Sequence, residues 1–265
     1  MQNLTDKVVW ITGASSGIGE ALTLELNRKK AKLIISSRRV EELERVKSLC
    51  AHPENVHIVP IDLTDSGSII SKAEEAIAVH GHIDLLINNG GISQRSLIIE
   101  TDMEVDRRVM EVNYFGSVAV TKAVLPSMVK RQIGHVVIIT SAVGIITTKF
   151  RSGYSASKHA LHGFFDTLRI EHHADNIAVT IVCPGFIRTS ISLQALTGDG
   201  KPQQKMDETT GGGMSAERCA FLIVKAIERK KEEVYVAGFK EKLAIYMKRF
   251  FPTLFSKLIR NAKVT

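Results

Sequence analysis

The stretch TGASSGIG, from Thr12 to Gly19, decides the fold of this 265-residue chain. It follows a short apolar run at residues 7–12 and precedes a segment of helical period at residues 19–30. Glycines here allow the backbone to turn tightly and to approach a bound pyrophosphate closely. A helix that begins at this point directs free N–H groups and its positive dipole end at such an anion. The stretch therefore predicts a dinucleotide site; the alternative is a tight strand-to-helix turn without a ligand.

Short runs rich in valine and isoleucine recur along the rest of the chain and alternate with segments of helical period. The predicted strands are residues 7–12, 32–36, 56–61, 83–87, 135–140, 179–183 and 233–237, and the predicted helices are 19–30, 41–49, 68–80, 103–130, 153–172 and 216–231. Runs without polar alternation suit strands that are buried on both faces. We therefore predict an α/β fold, a single doubly wound Rossmann-type domain whose seven-stranded parallel sheet has helices on both faces.

Two segments interrupt this alternation. Residues 188–214 are long and polar and end in three glycines, so we predict a substrate lid or a disordered segment that adds little to the core. Residues 239–265 carry seven lysines or arginines against one glutamate, a net +6 of the chain's +7. We predict a catalytic domain at 1–238, with the lid inside it, and a basic amphipathic C-terminal tail at 239–265.

The tail allows two interpretations. Its apolar residues recur near helical period, and Pro252 is expected to break or kink the helix. A basic amphipathic helix can lie on an anionic membrane. The favoured alternative is that its apolar side packs over the substrate pocket or against a second subunit.

The composition is that of a soluble globular protein, with 44% hydrophobic and 24% charged residues. Cys50, Cys183 and Cys219 lie far apart and form no metal-binding spacing, which favours reduced thiols. No signal peptide or membrane-spanning run is visible, so we expect a cytoplasmic protein. Because the body outside the tail is nearly neutral, we expect no nucleic-acid partner.

Tyr154 and Lys158 are four residues apart in a predicted helix and therefore share one helix face. A phenol with a pKa of about 10 acts as a base near neutral pH only with help, which an ammonium and a cationic nicotinamide ring would give. Ser141 follows a predicted strand, where doubly wound sheets place their ligands, and its hydroxyl can bond a substrate oxygen that gains charge. Each residue alone has an ordinary structural explanation, but together they indicate an active site.

Four motifs carry a resemblance to a known family: TGASSGIG at 12–19, NNGG at 88–91, YSASK at 154–158 and PGFIRT at 184–189. With Ser141 and Asn113 they resemble the classical short-chain dehydrogenase/reductase family over residues 7–189. The segments NGGISQRSL and YSASKHAL are similar to its microsomal branch, which includes carbonyl and steroid reductases. Glycine at position 90 departs from the family's alanine and removes only a methyl group.

The resemblance implies hydride transfer between NADP(H) and a carbonyl or secondary alcohol. The catalytic residues it implies are Asn113, Ser141, Tyr154 and Lys158, with Asn113 supporting a water that links Lys158 to solvent. The cofactor-binding residues it implies are Gly13, Ser15, Ser16, Gly17, Ile18, Gly19, Ser37, Arg38, Arg39, Asp62, Leu63, Asn89, Gly90, Gly91, Tyr154, Lys158, Pro184, Gly185, Ile187 and Thr189.

The end of the second strand favours NADP(H) over NAD(H). NAD-binding Rossmann proteins usually place an acidic residue there, whereas this chain has Ser37 followed by Arg38 and Arg39. A guanidinium matches phosphate geometry with two parallel hydrogen bonds. Arg38 is the favoured ligand, since Arg39 can equally be a solvated residue at a helix start.

The predicted substrate pocket is largely apolar. Its main residues are Ser141, Val143, Tyr154 and Phe186, and further candidates are Ser93, Gln94, Arg95, residues 143–146, Phe150, Ile191 and Leu193. This mixture favours a lipophilic ketone or alcohol, such as a steroid, a retinoid or an aromatic carbonyl. The resemblance also implies a homodimer or homotetramer that associates through the helices at 103–130 and 153–172.

Other functions fit the same residues less well. A catalytically silent NADP(H)-sensing protein of this fold would not need the four catalytic residues. A sugar-nucleotide epimerase would have a longer C-terminal region and a different glycine spacing. His159 and His162 lie three residues apart, but the sequence arranges no acidic or cysteine partner with them, so we predict no metal site.

Overall fold

Seven parallel strands form the central sheet, in the order β3-β2-β1-β4-β5-β6-β9. The computed structural model describes residues 2–260 and 262. The strands are β1 (Val8–Thr12), β2 (Lys32–Ser36), β3 (Val56–Ile58), β4 (Leu85–Asn88), β5 (Gly134–Ile139), β6 (Ile177–Pro184) and β9 (Glu233–Val236). The chain starts in the centre, winds outward through β2 and β3, and crosses back to β4. This confirms the predicted fold class and places a topological switch point between β1 and β4, where such sheets bind ligands.

Helices cover both faces of the sheet. They are α1 (Gly17–Arg28), α2 (Val40–Ser48), α3 (Ser66–His80), α4 (Met103–Met110), α5 (Gly116–Arg131), α6 (Ser152–Glu171) and α8 (Ala216–Glu228). On one face, Leu22 and Leu26 of α1 pack with Ile223 of α8. On the other, Val124 of α5 and Phe165 of α6 are fully buried. β1 and β5 therefore lie between two apolar layers, which explains why their sequences lack polar alternation.

The helix predicted at 103–130 is interrupted. Between α4 and α5, residues Glu111–Phe115 form a π-helical turn. Asn113 lies in this turn, and its side chain bonds the backbone of Ile92 after β4. Such turns occur mostly where a helix has to present a particular side chain. Hydrophobic period alone does not reveal them, since the residues on either side keep the helical pattern.

The lid segment is more ordered than the sequence suggests. It contains β7 (Ile187–Arg188), α7 (Glu208–Gly211) and β8 (Met214–Ser215), and β7 pairs with β8. Ala195 and Leu196 are buried, so the expectation that the segment adds little to the core is wrong. The carboxylate of Asp207 anchors it: Asp207 is 3% exposed and pairs with two buried guanidiniums, of Arg95 and Arg151.

The C-terminal tail forms α9 (Phe239–Phe250) and α10 (Pro252–Ile259), with the break at the expected proline. Ile245 and Phe255 are buried in a small cluster with Ala142 and Ile146 beside the end of β5. The outer side of both helices remains apolar and exposed; its residues are Phe239, Leu243, Tyr246, Phe250, Phe251, Leu254 and Leu258. Residues 261 and 263–265 of the predicted tail lie outside the described residues. Among those described, no helix is both long and apolar enough to cross a bilayer.

Asp207→Asn tests the anchor of the lid. Oδ2 of Asp207 accepts hydrogen bonds from Nε and Nη2 of Arg95, at 2.9 and 2.7 Å, and from Nη2 of Arg151 at 3.1 Å. Removing the charge leaves two buried guanidiniums without their carboxylate. We expect the free energy of unfolding to fall by about 3 kcal/mol, and proteolysis within 188–214 to accelerate, measured by urea denaturation and limited digestion.

Asp199→Asn is the matched control, because Asp199 lies in the same segment but pairs with Lys201 on the surface. We expect it to leave both measurements unchanged, since exposed ion pairs contribute little to stability. Equal effects of the two variants would show that Asp207 does not anchor the lid.

Candidate active site

The predicted catalytic side chains meet at the carboxyl edge of the sheet. Ser141 follows β5, and Tyr154 and Lys158 lie on the first turns of α6. Nζ of Lys158 is 5.7 Å from the centroid of the Tyr154 ring and donates a hydrogen bond of 2.8 Å to the carbonyl of Ile139. The Tyr154 hydroxyl is hydrogen-bonded to the Ser141 side chain. The structure thus brings the phenol, the ammonium and the serine together, as their spacing predicts.

Burial acts on both titratable groups. It raises the pKa of Tyr154, an effect opposed by the positive charge of Arg95, the hydrogen bond from Ser141 and the charge of Arg151. Burial also lowers the pKa of Lys158 to about 8, since its ammonium is 4% exposed. Both shifts follow from desolvation, which disfavours the charged form of either group. The phenol therefore needs nearby positive charge to ionise, and this edge of the sheet supplies it.

Asn113 is completely buried and holds two segments together. Its Oδ1 accepts the N–H of Ile92 at 2.8 Å, and its Nδ2 donates to the Ile92 carbonyl at 3.0 Å and to Oγ of Ser157 at 2.9 Å. A Cβ atom on Gly91 would lie 3.1 Å from Oδ1 of Asn113 and 3.6 Å from Nζ of Lys158. The amide and the ammonium thus face one small space that the absent side chain of Gly91 leaves open.

The glycine loop fits a bound pyrophosphate. Gly13 and Gly17 have φ angles of +65° and +60°, which disfavour residues with a side chain. A Cβ atom on Gly13 would lie 2.6 Å from Cα of Gly90, so the loop after β1 touches the loop after β4. Ser16 precedes α1 and makes no capping hydrogen bond with its side chain. The N–H groups at the start of α1 therefore have no side-chain cap from Ser16 and point toward the cleft.

Space at Gly90 is occupied by a neighbouring residue. A Cβ atom there would lie 2.5 Å from Cδ1 of Leu63, which is one of the predicted cofactor-binding residues. Its predicted neighbour Asp62 accepts hydrogen bonds from the backbone N–H and the hydroxyl of Thr64. Gly90, where the family has alanine, thus leaves the space that the Leu63 side chain occupies beside the strand ends.

The two arginines after β2 differ in placement. Nη2 of Arg39 lies 3.0 Å from Oγ of Ser15 and 3.1 Å from Oγ of Ser16, on the glycine loop itself. Arg38 is exposed, and its Nη1 is 4.0 Å from a carboxylate oxygen of Asp62. Ser37 accepts the backbone N–H of Arg39 with its hydroxyl. The sequence favoured Arg38, whereas the structure places Arg39 nearer to the loop.

The segment after β6 leads from the sheet to the glycine loop. Pro184 is the last residue of β6, and Gly185 donates its N–H to Val236 of β9. Ile187 is buried in β7. Thr189 lies against the loop, since a Cβ atom on Gly17 would be 3.0 Å from its Cγ2. The other predicted cofactor residues near this turn are Ile18 and Gly19 at the start of α1 and Asn89 after β4. Nδ2 of Asn89 donates to the carbonyls of Thr12 and Gly13.

Among the predicted substrate residues, some are partly exposed and others are buried. Ser141, Val143, Tyr154, Phe186, Phe150, Ile191 and Leu193 are partly exposed. Ser93 and Gln94 are buried, and Nε2 of Gln94 donates to the Ser96 hydroxyl at 2.8 Å, so these two are wrong as substrate-facing residues. The Arg95 guanidinium is hydrogen-bonded to Asp207. It acts on Tyr154 through its positive charge, which lowers the pKa of the phenol.

Sequence reasoning missed Arg151 and Asp207. Both are buried and paired, and Arg151 lies three residues before Tyr154. Burial and the neighbouring charge of Arg95 together lower the pKa of Arg151 to about 10, against the opposing effect of the Asp207 carboxylate. The only available signal was an arginine next to the catalytic motif, because Asp207 lies in a segment without periodicity.

The structure also gives His162 partners that the sequence did not show. Nε2 of His162 is 3.7 Å from Sγ of Cys183, which is 3.8 Å from Oε1 of Glu233. His159 does not join them; its Nδ1 bonds the Ser155 carbonyl.

Comparison with known proteins agrees with this arrangement. The family model described as short chain dehydrogenase matches residues 7–198. "Dehydrogenase/reductase SDR family protein 7-like" of Anopheles gambiae is 45% identical over 268 residues, covering 98% of this chain and 84% of the relative. "Dehydrogenase/reductase SDR family member 7B" of Mus musculus is 42% identical over 263 residues, covering 97% and 81%.

Solved structures show the same fold. A short-chain dehydrogenase from Streptomyces avermitilis is 28% identical, with a TM-score of 0.82 and coverage of 97% of this chain and 96% of that one. ElxO, solved with NADP bound, is 24% identical, with a TM-score of 0.75 and coverage of 88% and 98%. From the matched residues and the identity to these relatives, the chain belongs to the short-chain dehydrogenase/reductase family of oxidoreductases.

Proposed function

We propose that the protein is an NADP(H)-dependent oxidoreductase that transfers hydride between the nicotinamide and a carbonyl carbon or secondary alcohol. One observation carries the proposal: the Tyr154 hydroxyl is bonded to Ser141, with Lys158 one turn further along α6. The group lies at the edge of the sheet where the glycine loop begins, and the loop fits a dinucleotide. Hydride transfer needs a proton donor or acceptor at the substrate oxygen, and a phenol beside an ammonium can serve as either.

In the proposed reduction, a dinucleotide held at the glycine loop would supply the hydride for the carbonyl carbon. Tyr154 gives its phenolic proton to the substrate oxygen, so that an alcohol and a phenolate result. Ser141 donates a hydrogen bond to the same oxygen as its negative charge grows. The guanidiniums of Arg95 and Arg151 stabilise the phenolate by their positive charge, and Lys158, whose Nζ lies 5.7 Å from the ring centroid, adds its own charge. The space that Gly91 leaves open between Asn113 and Lys158 gives a route by which the proton is replaced from solvent, and oxidation reverses each step.

Preference for NADP(H) is part of the proposal. Arg39 is held over the glycine loop by Ser15 and Ser16, and Arg38 is exposed beside Asp62. Ser37 stands where NAD-binding Rossmann proteins usually have the carboxylate that disfavours a 2′-phosphate. Two guanidiniums at the mouth of the ribose site favour the phosphorylated cofactor.

For the substrate we propose a lipophilic carbonyl or alcohol. Val143, whose N–H donates to Oγ of Ser141, and Phe186 are both partly exposed. Ile146 lies on the next turn and packs against Ile245 of the tail, so one wall of the cleft is apolar. Turnover confined to small charged polyols would contradict this substrate class.

We also propose that the chain forms a homo-oligomer through α4, α5 and α6. Phe115, between α4 and α5, and Ile170 on α6 are 51% and 78% exposed. Apolar side chains left outside on two neighbouring helices suit a second subunit. Sedimentation at micromolar concentration decides the matter, and a monomer there would contradict it.

Tyr154→Phe tests the chemistry. Removing only the hydroxyl takes away the proton donor, so we expect kcat for carbonyl reduction to fall by about 10²- to 10⁴-fold. The Kd for NADPH should stay unchanged. Stopped-flow absorbance of NADPH with a panel of lipophilic carbonyls measures kcat. Fluorescence titration measures the Kd for NADPH. Tyr246→Phe, on the exposed side of α9, is the control with unchanged kcat. If wild-type protein binds NADPH but reduces none of the panel, the sensing alternative stands.

Arg39→Leu tests the cofactor preference. A charge-assisted hydrogen bond to the 2′-phosphate is lost, so we expect the Kd for NADPH to rise about 10- to 100-fold, while the Kd for NADH changes little. Arg38→Leu should act in the same direction. Arg45→Leu, an exposed arginine of α2 that pairs with Glu20 and Glu42, is the control. Equal weakening of NADPH and NADH by Arg39→Leu would argue that Arg39 supports the loop only.

The buried ammonium of Lys158 predicts a pH-dependent stability. Its pKa is about 8 in the folded chain and about 10.5 in the unfolded one. Between those values the unfolded chain holds more protons, so the free energy of unfolding rises with pH. Below pH 8 Lys158 is protonated in both states, so the folded chain bears the full free-energy cost of burying the ammonium. We expect Lys158→Met to be the more stable protein at pH 7, by up to about 3 kcal/mol, and the difference to shrink between pH 8 and 10.5.

Urea denaturation of wild type and Lys158→Met from pH 7 to 10.5 measures the difference in the free energy of unfolding. Lys130→Met, a lysine exposed on α5, is the control and should show no pH-dependent difference from wild type. A difference between Lys158→Met and wild type that is constant from pH 7 to 10.5 would falsify the assignment of a depressed lysine pKa.

A further inference from the structure

Behind the proposed active site, three chemically different side chains from distant parts of the chain converge. They are His162 on α6, Cys183 on β6 and Glu233 at the start of β9. Their nearest ligand atoms all lie within 4.8 Å of one another. Among residues 2–260 and 262, this is the only group of three or more histidine, cysteine or acidic side chains with such proximity. Neither the family motifs nor the proposed reaction uses any of the three.

The sheet and one helix create the cluster. β6 and β9 are parallel neighbours in which Cys183 stands opposite Tyr235 and Ile181 stands opposite Glu233. Because side chains alternate along a strand, Cys183 and Glu233 point to the same face. α6 covers that face, and His162 approaches from it. Gly144 leaves room there, since a Cβ atom on it would lie 3.2 Å from Nε2 of His162.

The separations match those of ligands around a tetrahedral cation. Zinc bonds of about 2.3 Å to sulfur and about 2.0 Å to nitrogen or oxygen place neighbouring donors roughly 3.5 Å apart. Here Sγ of Cys183 lies 3.7 Å from Nε2 of His162 and 3.8 Å from Oε1 of Glu233. Both distances also lie within the range of hydrogen bonds to sulfur, and contraction of these two and of the His162–Glu233 separation, which is at most 4.8 Å, brings all three donors to bonding distance of one ion.

Burial and access also suit a metal. Cys183 is completely buried, His162 is half-buried and Glu233 is exposed, so the cluster opens to solvent on the Glu233 side. Three protein ligands leave the fourth tetrahedral position to water, and an ion can enter and leave by that route. A thiolate and an imidazole together select zinc rather than magnesium or calcium, which prefer oxygen.

Neighbouring groups hold the ligands in place. The Tyr235 side chain is hydrogen-bonded to Glu233. The hydroxyl of Thr140 lies 3.3 Å from Sγ of Cys183, within reach to donate to it. Outer partners of this kind fix the orientation of metal ligands and tune affinity.

We propose that His162, Cys183 and Glu233 bind one Zn²⁺ ion through Nε2, Sγ and a carboxylate oxygen, with a water as the fourth ligand. On binding, the Cys183 thiol loses its proton to solvent and the sulfur bonds the metal as thiolate. No electron is transferred. None of these three side chains is a reacting group in the proposed hydride transfer.

Cobalt substitution tests the proposal, because a thiolate bound to Co²⁺ gives a charge-transfer band in the near ultraviolet and a tetrahedral ion gives intense visible bands. The full chain, freed of metal with a chelator, is titrated with Co²⁺ and then with Zn²⁺. We expect both bands to saturate at one equivalent and to disappear when Zn²⁺ is added. Absence of the charge-transfer band at one equivalent overturns the proposal.

Single substitutions assign the ligands. Cys183→Ser should abolish the charge-transfer band, while Cys219→Ser, at an equally buried cysteine of α8, should keep it. His162→Asn and Glu233→Gln should each weaken Zn²⁺ binding. Tyr235→Phe should weaken it about 10- to 100-fold, as loss of an outer partner does. A band that survives in Cys183→Ser would place the metal elsewhere and overturn the proposal.

X-ray absorption on the unsubstituted protein with one equivalent of Zn²⁺ covers the case in which Cys183→Ser does not fold. We expect one sulfur and three nitrogen or oxygen neighbours. A shell of nitrogen and oxygen alone, or of two or more sulfurs, contradicts the proposed set.

Discussion

Parallel strands all end on one edge of their sheet, and every group of the candidate active site is attached to that edge. The glycine loop follows β1, Gly90 follows β4, Ser141 follows β5 and Pro184 ends β6. The switch point between β1 and β4 separates the connecting segments, so the loops diverge there and leave a cleft. The catalytic and nucleotide-binding groups can meet only because the sheet brings their strand ends together.

The same edge concentrates buried charge. Lys158 donates a hydrogen bond to a backbone carbonyl, and Arg95 and Arg151 both pair with the carboxylate of Asp207. A surplus of positive charge beside a buried phenol is unfavourable for folding, because each cation loses solvation. It is favourable for a reaction that makes a phenolate and an alkoxide-like oxygen. The buried cations at this edge therefore lower the stability of the fold and at the same time favour the proposed reaction.

Much of the fold and of the candidate site was predictable. Strand periodicity placed the seven strands of the sheet, and the motifs gave Ser141, Tyr154 and Lys158, which the structure brings together. The π-helical turn at Asn113 and the ordered lid were not predictable, since neither leaves a periodic signal. Gln94 was misplaced because a polar residue after a strand can point into the cleft or into the protein, and only its bonds to Ser96 decide which.

By itself, the sequence determined the winding of the chain and the family to which it belongs, because strand periodicity and short motifs depend only on residues near one another. Tertiary structure decided what distant residues do together. It paired Asp207 with Arg95 and Arg151, and it placed Arg39 rather than Arg38 on the glycine loop. It also joined His162, Cys183 and Glu233, where the sequence showed no partner. Such contacts arise from the packing of a helix on neighbouring strands, and no local spacing records that packing.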